Sequence, residues 1–184
     1  MVTETATAAL SKAAPTPDGL VIRAVERSDQ VAISQLHART FGPGRFTRTA
    51  YRIREGAPAV SRFCKAAVLQ DRLVAAVRFT PCKVGTNTNG LFLGPIVVDP
   101  AFKNQHIGST LISRALEDVD KSGIAFVILV GDEPYYRRHD FVTTALDQIK
   151  CPGPVAPDRI LIRPANGADP STIIGQIRAL QGAL

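Results

Sequence analysis

One segment of the chain, residues 93–141, constrains the fold more than any other. It starts inside a nearly continuous apolar run, residues 91–98, which is typical of a strand buried on both faces. After a short turn, apolar residues recur with helical periodicity from Ile107 to Val119 and predict a long amphipathic helix. A second apolar run, residues 125–130, follows. This order predicts two parallel strands joined by a crossover helix.

The rest of the chain predicts antiparallel strands and further helices around this unit. β-rich runs predict strands at residues 20–26, 62–69, 73–83, 141–149 and 160–163, with tight turns at 70–71 and 86–90. Apolar periodicity and capping residues predict helices at residues 28–40, 46–55 and 170–184, and a helical turn at 134–138. Together these elements predict an α+β fold with a mixed, mostly antiparallel sheet, a central parallel strand pair and helices on both faces.

The chain divides into a tail and one domain. Residues 1–19 are rich in Ala, Thr and Pro and contain no apolar block, so we expect a disordered tail. Residues 20–184 have the length of a single domain that ends in an added C-terminal helix. The apolar stripe of that helix is expected to pack either on the domain or on a second copy of the chain in a homodimer.

Composition excludes several classes of protein. No run approaches the roughly 20 apolar residues of a membrane span, so no membrane partner is expected. The three cysteines are far apart and lack a CxxC pair, which argues against a disulfide framework or zinc ribbon and favours the cytoplasm. The three histidines lack metal-ligand spacing, so no metal is expected. The net charge of +6 is spread along the chain and aromatic residues are few, which argues against a nucleic-acid partner.

The turn before the long helix is the candidate for chemistry. A helix start offers free backbone N–H groups and the positive end of the helix dipole to an anion. The sequence KNQHIG at residues 103–108, with YRRHDF at 136–141, resembles two motifs of the GNAT acyltransferases, Q/R-x-x-G-x-G/A and Y-x-x-x-G-F. Lys103 stands where Gln or Arg is usual, His106 where the first glycine is usual, and Asp140 where the later glycine is usual. Asp tolerates the left-handed backbone conformation better than most residues.

The resemblance implies a fold, a co-substrate and its binding residues. The fold would be GNAT-like with the parallel strand pair splayed, and the co-substrate would be acetyl-CoA, without a metal. Its pyrophosphate would lie on the turn, and its pantetheine arm would pair with the strand edge in the splay like an added strand. The residues expected to contact it are Ile96, Val97, Val98, Lys103, Gln105, His106, Ile107, Gly108 and Ser109.

The resemblance also implies a general acid and an acceptor site. Tyr136, five residues before Phe141, matches the tyrosine that reprotonates the CoA thiolate in many members of the family. The two early helices would form the acceptor site. Its expected residues are Arg45, Tyr51 and Arg52, which would favour an acceptor that carries an anionic group. No general base stands out, and the candidates are His37, Glu55, Asp132 and Glu133.

Three functions remain open at this stage. The first is an N-acyltransferase that moves an acetyl group from acetyl-CoA to the amine of a small molecule or a protein. The second is a domain of the same fold that catalyses no transfer and either binds CoA or has a purely structural role. The third takes a longer acyl chain from CoA or from acyl-carrier protein.

Overall fold

The computed structural model describes residues 16–44 and 49–181. Its strands are β1 (Val21–Ala24), β2 (Lys65–Leu69), β3 (Arg72–Val84), β4 (Asn87–Val98), β5 (Phe126–Val130), β6 (Val142–Thr143), β7 (Ile149–Lys150), β8 (Ile160–Pro164) and β9 (Gly175–Ala179). Its helices are α1 (Gln30–Phe41), α2 (Thr49–Ile53), α3 (Ile107–Asp120) and α4 (Glu133–Tyr136). In the described residues, no helix is both long enough and apolar enough to span a bilayer.

The sheet has the mixed topology that the sequence predicts. The strand order is β1-β2-β3-β4-β5-β8-β6, with β9 pairing with both β3 and β7. The β4–β5 pair is parallel and the other neighbours along this path are antiparallel. Gln70 and Asp71 both adopt positive φ, of 49° and 59°, which is the backbone of a primed hairpin turn and confirms the turn predicted between β2 and β3.

The central parallel pair is splayed. Residues Gly90 to Phe92 of β4 pair with Phe126 to Ile128 of β5, and no further pairs are formed although both strands continue. The aromatic ring of Phe126 lies where a side chain at position 90 would be, so a glycine is needed for the two strands to meet. An irregularity in the β3–β4 ladder near Gly94 then carries β4 away from β5. The splay exposes one edge of β4 where it approaches α3.

Helices cover both faces of the sheet because its central strands are apolar on both faces. The buried stripe of α3, which includes Leu111, Ile112 and Ala115, packs on one face in the largest core cluster. On the other face, Leu36 of α1 packs on Ala76 and Val97. A third cluster on that face joins α2 to β9, to Phe92 of β4 and to alternate residues of β5.

The predicted C-terminal helix is wrong within the described residues. Residues 170–172 form a 3-10 turn, and Gly175–Ala179 is strand β9, which pairs with β3 and β7. Ile173 and Ile177 are buried as expected, and Ile174 is exposed. A spacing of four residues puts side chains on one side of either a helix or a strand, so the apolar stripe did not discriminate between them. The β-branched isoleucines favour the strand, and Gly175 disfavours a helix interior.

Two other predicted segments differ from the structure. The turn between β3 and β4 is confined to residues 85–86, and β4 begins at Asn87. The long strand expected at 141–149 is broken into β6 and β7, separated by a loop in which Asp147 has a positive φ. Most of the predicted tail, residues 1–15, and the end of the chain, residues 182–184, lie outside the described residues.

Candidate active site

The start of α3 presents unused backbone donors. His106 is the N-cap residue and adopts the left-handed conformation, with φ 56° and ψ 5°. The first helical hydrogen bond runs from the amide of Thr110 to the carbonyl of His106, at 3.0 Å. The amides of Ile107, Gly108 and Ser109 precede it, so they have no acceptor within the helix. The predicted phosphate turn therefore has the geometry of an anion-binding helix start.

Gly108 lets other chain segments approach this helix start closely. A Cβ atom at this position would lie 3.2 Å from the hydroxyl of Tyr135, 3.3 Å from Val98 and 3.4 Å from Ile96. Gly108 is buried beneath these side chains. Lys103 and His106 are exposed, and Gln105 is half-buried. The predicted residues of the turn are therefore contiguous with the splayed edge of β4.

The three strand residues predicted to meet the pantetheine arm are not equivalent. The amide of Asp99 donates to the carbonyl of Val74 of β3 at 2.8 Å, so the peptide groups at position 99 face β3. Peptide groups of an antiparallel ladder turn alternately to either side, so Val97 faces β3 and Ile96 and Val98 face the splay. Ile96 and Val98 are thus placed to pair with a ligand, and the backbone of Val97 is not.

The two tyrosines of α4 face different parts of the site. The Tyr135 hydroxyl lies over the start of α3, next to Gly108. Tyr136 lines the pocket beside the splay, and its ring packs on Gly131 and at 5.8 Å, edge to face, on Phe141. Burial, with the nearby Tyr135 and Asp132, raises the pKa of the Tyr136 phenol well above its usual range. The phenol is therefore protonated at neutral pH, as a general acid requires.

The turn after α4 holds its shape without the usual glycine. Asp140 adopts the left-handed conformation, with φ 63° and ψ 22°, as expected from the sequence. Its neighbour His139 is buried and lies between two hydroxyls of α3, with Nε2 3.2 Å from Ser109 and Nδ1 3.4 Å from Ser113. Burial, followed by the charge of Arg138, lowers the pKa of this imidazole to about 4. The sequence contained no signal of this contact, because it joins residues that are distant along the chain.

A large pocket opens beside the splay, on the α1 and α2 face of the sheet. Its volume is about 960 Å³. Its lining combines α1, α2, strands β3 and β4 and the loop at residues 154–156. The hydroxyl of Thr49 in α2 donates to the carbonyl of Pro154 at 2.7 Å and so fixes that loop over the pocket. Tyr136 lies in the same lining as Gly94, Pro95 and Ile96, so the pocket reaches the splayed edge of β4.

The residues predicted for the acceptor site are only partly brought together. Tyr51 lines the pocket, and Arg52 is exposed and does not. Arg45 lies outside the described residues. Three other arginines line the pocket instead: Arg54, directly after α2, Arg78 of β3, and Arg159. In the sequence Arg54 is one of four arginines between residues 45 and 54, and nothing singles out Arg78.

The candidates for a general base are separated by the structure. Glu55 is exposed and lies outside the pocket lining, Asp132 pairs with Arg159 at 3.2 Å, and Glu133 pairs with Arg137 at 2.5 Å. His37 lines the pocket, with its ring 5.7 Å from that of Phe41. No aspartate or glutamate occurs among the described residues of the lining.

Metal-ligand clusters do not occur in the part of the chain that the structure describes: no group of three or more His, Cys, Asp or Glu side chains is arranged to hold an ion. The cysteines Cys64, Cys82 and Cys151 are free, and burial raises the pKa of the Cys151 thiol to about 11.

Comparison with known proteins identifies relatives of this chain. By sequence it is 26% identical over 86 residues to the uncharacterized N-acetyltransferase YhbS of Escherichia coli (strain K12). That match covers 46% of this chain and 52% of the relative, so the chain spans about half the length of the curated relative it matches.

Solved structures are similar over most of the chain. The fold matches that of a GNAT family N-acetyltransferase (YhbS) from Escherichia coli in complex with CoA, with a TM-score of 0.73 and 21% identity, covering 88% of this chain and 90% of that one. It also matches a GNAT family acetyltransferase from Brucella melitensis in complex with acetyl-CoA, with a TM-score of 0.58 and 26% identity, covering 77% and 94%. Residues 31–142, which include all but the first residue of α1, the splayed strands, the turn before α3 and Tyr136, match the acetyltransferase (GNAT) family. The chain therefore belongs to the GNAT acetyltransferase family.

Proposed function

We propose that this protein is an N-acyltransferase that moves an acetyl group from acetyl-CoA to the amine of an acceptor held in the large pocket. One observation carries the proposal: the pocket and the anion-binding start of α3 meet at the splayed edge of β4, with Tyr136 at their junction. The relative from Brucella melitensis, which was solved with acetyl-CoA, supports the choice of donor.

The residues present fit acetyl-CoA. The amides of Ile107, Gly108 and Ser109 would receive the pyrophosphate, and the exposed Lys103 would add a positive charge beside it. Acetyl-CoA supplies the thioester that the amine attacks. The outward peptide groups of Ile96 and Val98 would orient the pantetheine arm, and the Tyr136 phenol would give its proton to the departing thiolate.

The pocket also favours one alternative, a domain that binds CoA without catalysing transfer. Among the described residues of the lining there is no carboxylate to deprotonate an amine. Because the alternative predicts binding without transfer, CoA binding and acetyl transfer must each be measured. A protein that binds CoA and transfers acetyl to no amine in a broad screen would support the alternative.

The test of the proposal is acetyl-CoA binding and acetyl transfer in two glycine variants. Gly108→Glu would put a bulky anion where the pyrophosphate is expected, whereas Gly123→Glu lies in open space after α3. We expect the first to abolish binding, measured by calorimetry, and the second to leave it unchanged. Gly108→Ala, a smaller change in the same crowded place, should lose part of the affinity. Equal affinity of the wild-type protein and of Gly108→Glu for acetyl-CoA would show that the start of α3 is not the pyrophosphate site.

Two further parts of the proposal concern the protein's surroundings. The cysteine usage favours the cytoplasm, where acetyl-CoA would be the donor. A homodimer is proposed as well, and sedimentation equilibrium tests it: a single species with the monomer mass would exclude it.

A further inference from the structure

Two guanidinium groups line the acceptor pocket with their hydrogen bonding incomplete. Arg54 is 9% exposed; its Nη1 donates to the carbonyl of Gly94 at 2.9 Å. Arg78 donates from Nη2 to the carbonyl of Pro58 at 2.7 Å. Within the described residues, the Nε of each is buried and has no hydrogen-bond partner. Both side chains therefore keep a donor that the protein itself does not satisfy.

Carboxylates do not balance these two charges in the described part of the chain. Burial lowers the pKa of Arg54 to about 10, and the charge of Arg78 lowers it further in the same direction. Burial also lowers the pKa of Arg78. Of the groups that shift these two values, the acids are the phenol of Tyr51 and the thiol of Cys64, and none is a carboxylate. Both arginines remain charged at neutral pH and lie close enough to repel each other.

Such an arrangement is costly unless an anion completes it. Buried charges are ordinarily paired, and the loss of a partner leaves a strongly unfavourable site. Arg54 is held in place by Gly94, in the part of β4 that leads to the splay. The unsatisfied charge thus lies in the wall of the pocket that is next to the expected position of the thioester.

The remainder of the pocket is suited to a small organic molecule. Most of its lining is apolar and includes Ile33, Phe41, Val60, Phe92, Val130 and Val155. The third arginine of the lining, Arg159, is already paired with Asp132. The guanidinium of Arg54 lies 5.6 Å from the ring of Tyr51 and 5.8 Å from that of Phe92, but neither Arg54 nor Arg78 has a carboxylate partner among the described residues. An acceptor with an apolar body and one carboxylate would satisfy both the apolar lining and these two guanidinium groups.

We propose that Arg54 and Arg78 form an anion-binding subsite that holds the carboxylate of a small acceptor amine, so that the substrate class is amino-acid-like. The identity of the ligand as an acceptor amine rests on the proposed acyltransferase function. The anion site itself rests only on the geometry of the two arginines. Arg54 and Arg78 thus take the role in anion recognition that was predicted for Arg52.

The first experiment measures anion binding without catalysis. The probes are benzoate and its neutral counterpart benzamide, titrated into the full-length protein by calorimetry. Benzoate should bind at least about tenfold more tightly than benzamide, because only the charged group gains charge-assisted hydrogen bonds. Arg54→Gln and Arg78→Gln should each remove that preference, whereas Arg178→Gln, an exposed arginine on β9, should keep it. Equal binding of the two probes to the wild-type protein would overturn the anion site without reliance on any variant.

The second experiment measures transfer to matched amines. Free apolar amino acids are compared with their carboxamides and with the corresponding decarboxylated amines. We expect the carboxylates to have the higher kcat/KM, by about tenfold or more, with the difference lost in Arg78→Gln. Faster transfer to the uncharged amines, or to a peptide N-terminus only, would overturn the inference and leave the acyltransferase proposal standing. Benzoate binding with no transfer to any amine would uphold the anion site and reject the acyltransferase.

Discussion

The Ser109 hydroxyl, in the first turn of α3, lies 3.2 Å from Nε2 of His139. This contact joins the helix start that is expected to hold the pyrophosphate to the turn that follows Tyr136. Ser113, one turn further along α3, approaches the other imidazole nitrogen at 3.4 Å. The imidazole therefore links the segment that carries Tyr136 to the start of α3, and the protonation state of His139 bears on this contact.

Stability should fall as the pH drops from about 6.5 toward 4. The folded pKa of His139 is about 4, below its ordinary value, so in this range the unfolded chain binds the extra proton and unfolding is favoured. The loss should be on the order of 2 kcal/mol in the free energy of unfolding. Urea unfolding at several pH values checks it. His139→Gln should flatten this slope, whereas His106→Asn, at an exposed histidine, should retain it. Parallel slopes in wild type and His139→Gln would contradict the assignment.

Tyr136→Phe should lower kcat and leave acetyl-CoA affinity nearly unchanged. General acid catalysis is typically worth 10²–10⁴-fold, so the loss should greatly exceed experimental error. Tyr135→Phe is the matched control, since its hydroxyl lies over Gly108 and not in the pocket. It should affect affinity for acetyl-CoA more than turnover. A Tyr136→Phe protein with wild-type turnover across pH would exclude this phenol as the acid.

His106→Gly should relax the turn before α3. A non-glycine residue in the left-handed conformation costs roughly 1–2 kcal/mol, which glycine avoids. We expect an equal or higher melting temperature, offset in part by the greater freedom of glycine in the unfolded chain. Affinity for acetyl-CoA should be kept or improved if the side chain only crowds the turn. A large loss of affinity, measured by calorimetry, would instead make the imidazole a phosphate ligand.

Ile177→Ala should destabilise the domain by roughly 2–5 kcal/mol, because it removes a fully buried side chain from the cluster that joins β9 to α2. Ile174→Ala is the control, since this isoleucine of the same segment is 59% exposed and should cost little. Chemical denaturation measures both. Similar small losses in the two variants would mean that β9 contributes little to the fold.

His37→Gln tests whether this residue is the general base. Among the described residues of the pocket lining it is the only histidine, and an imidazole is the commonest general base in enzymes. We expect kcat/KM to fall and its dependence on pH below neutrality to change, with acetyl-CoA affinity preserved. An unchanged pH profile would assign proton removal to water or to a group beyond the described residues.

The sequence by itself determined the elements whose periodicity is unambiguous. The helix at Ile107–Asp120 and the parallel strands on either side followed from a helical apolar stripe between two apolar runs. The left-handed turn at Asp140 followed from residue type and position. The stripe of Ile173 and Ile177 did not decide its own conformation, because a four-residue spacing fits both a helix and a strand, and pairing with β3 selected the strand.

Tertiary structure alone decided which side chains meet. Arg54 follows α2 and Arg78 belongs to β3, and Ser109 and His139 belong to α3 and the turn after α4, so neither pairing leaves a local pattern in the sequence. Local propensity acts over a few residues, whereas these contacts depend on how the sheet twists and where its strands splay. The sequence thus determined the turn before α3 and the helix dipole that begins there. The packing of distant segments decided which charged side chains line the large pocket and which residues contact the start of α3.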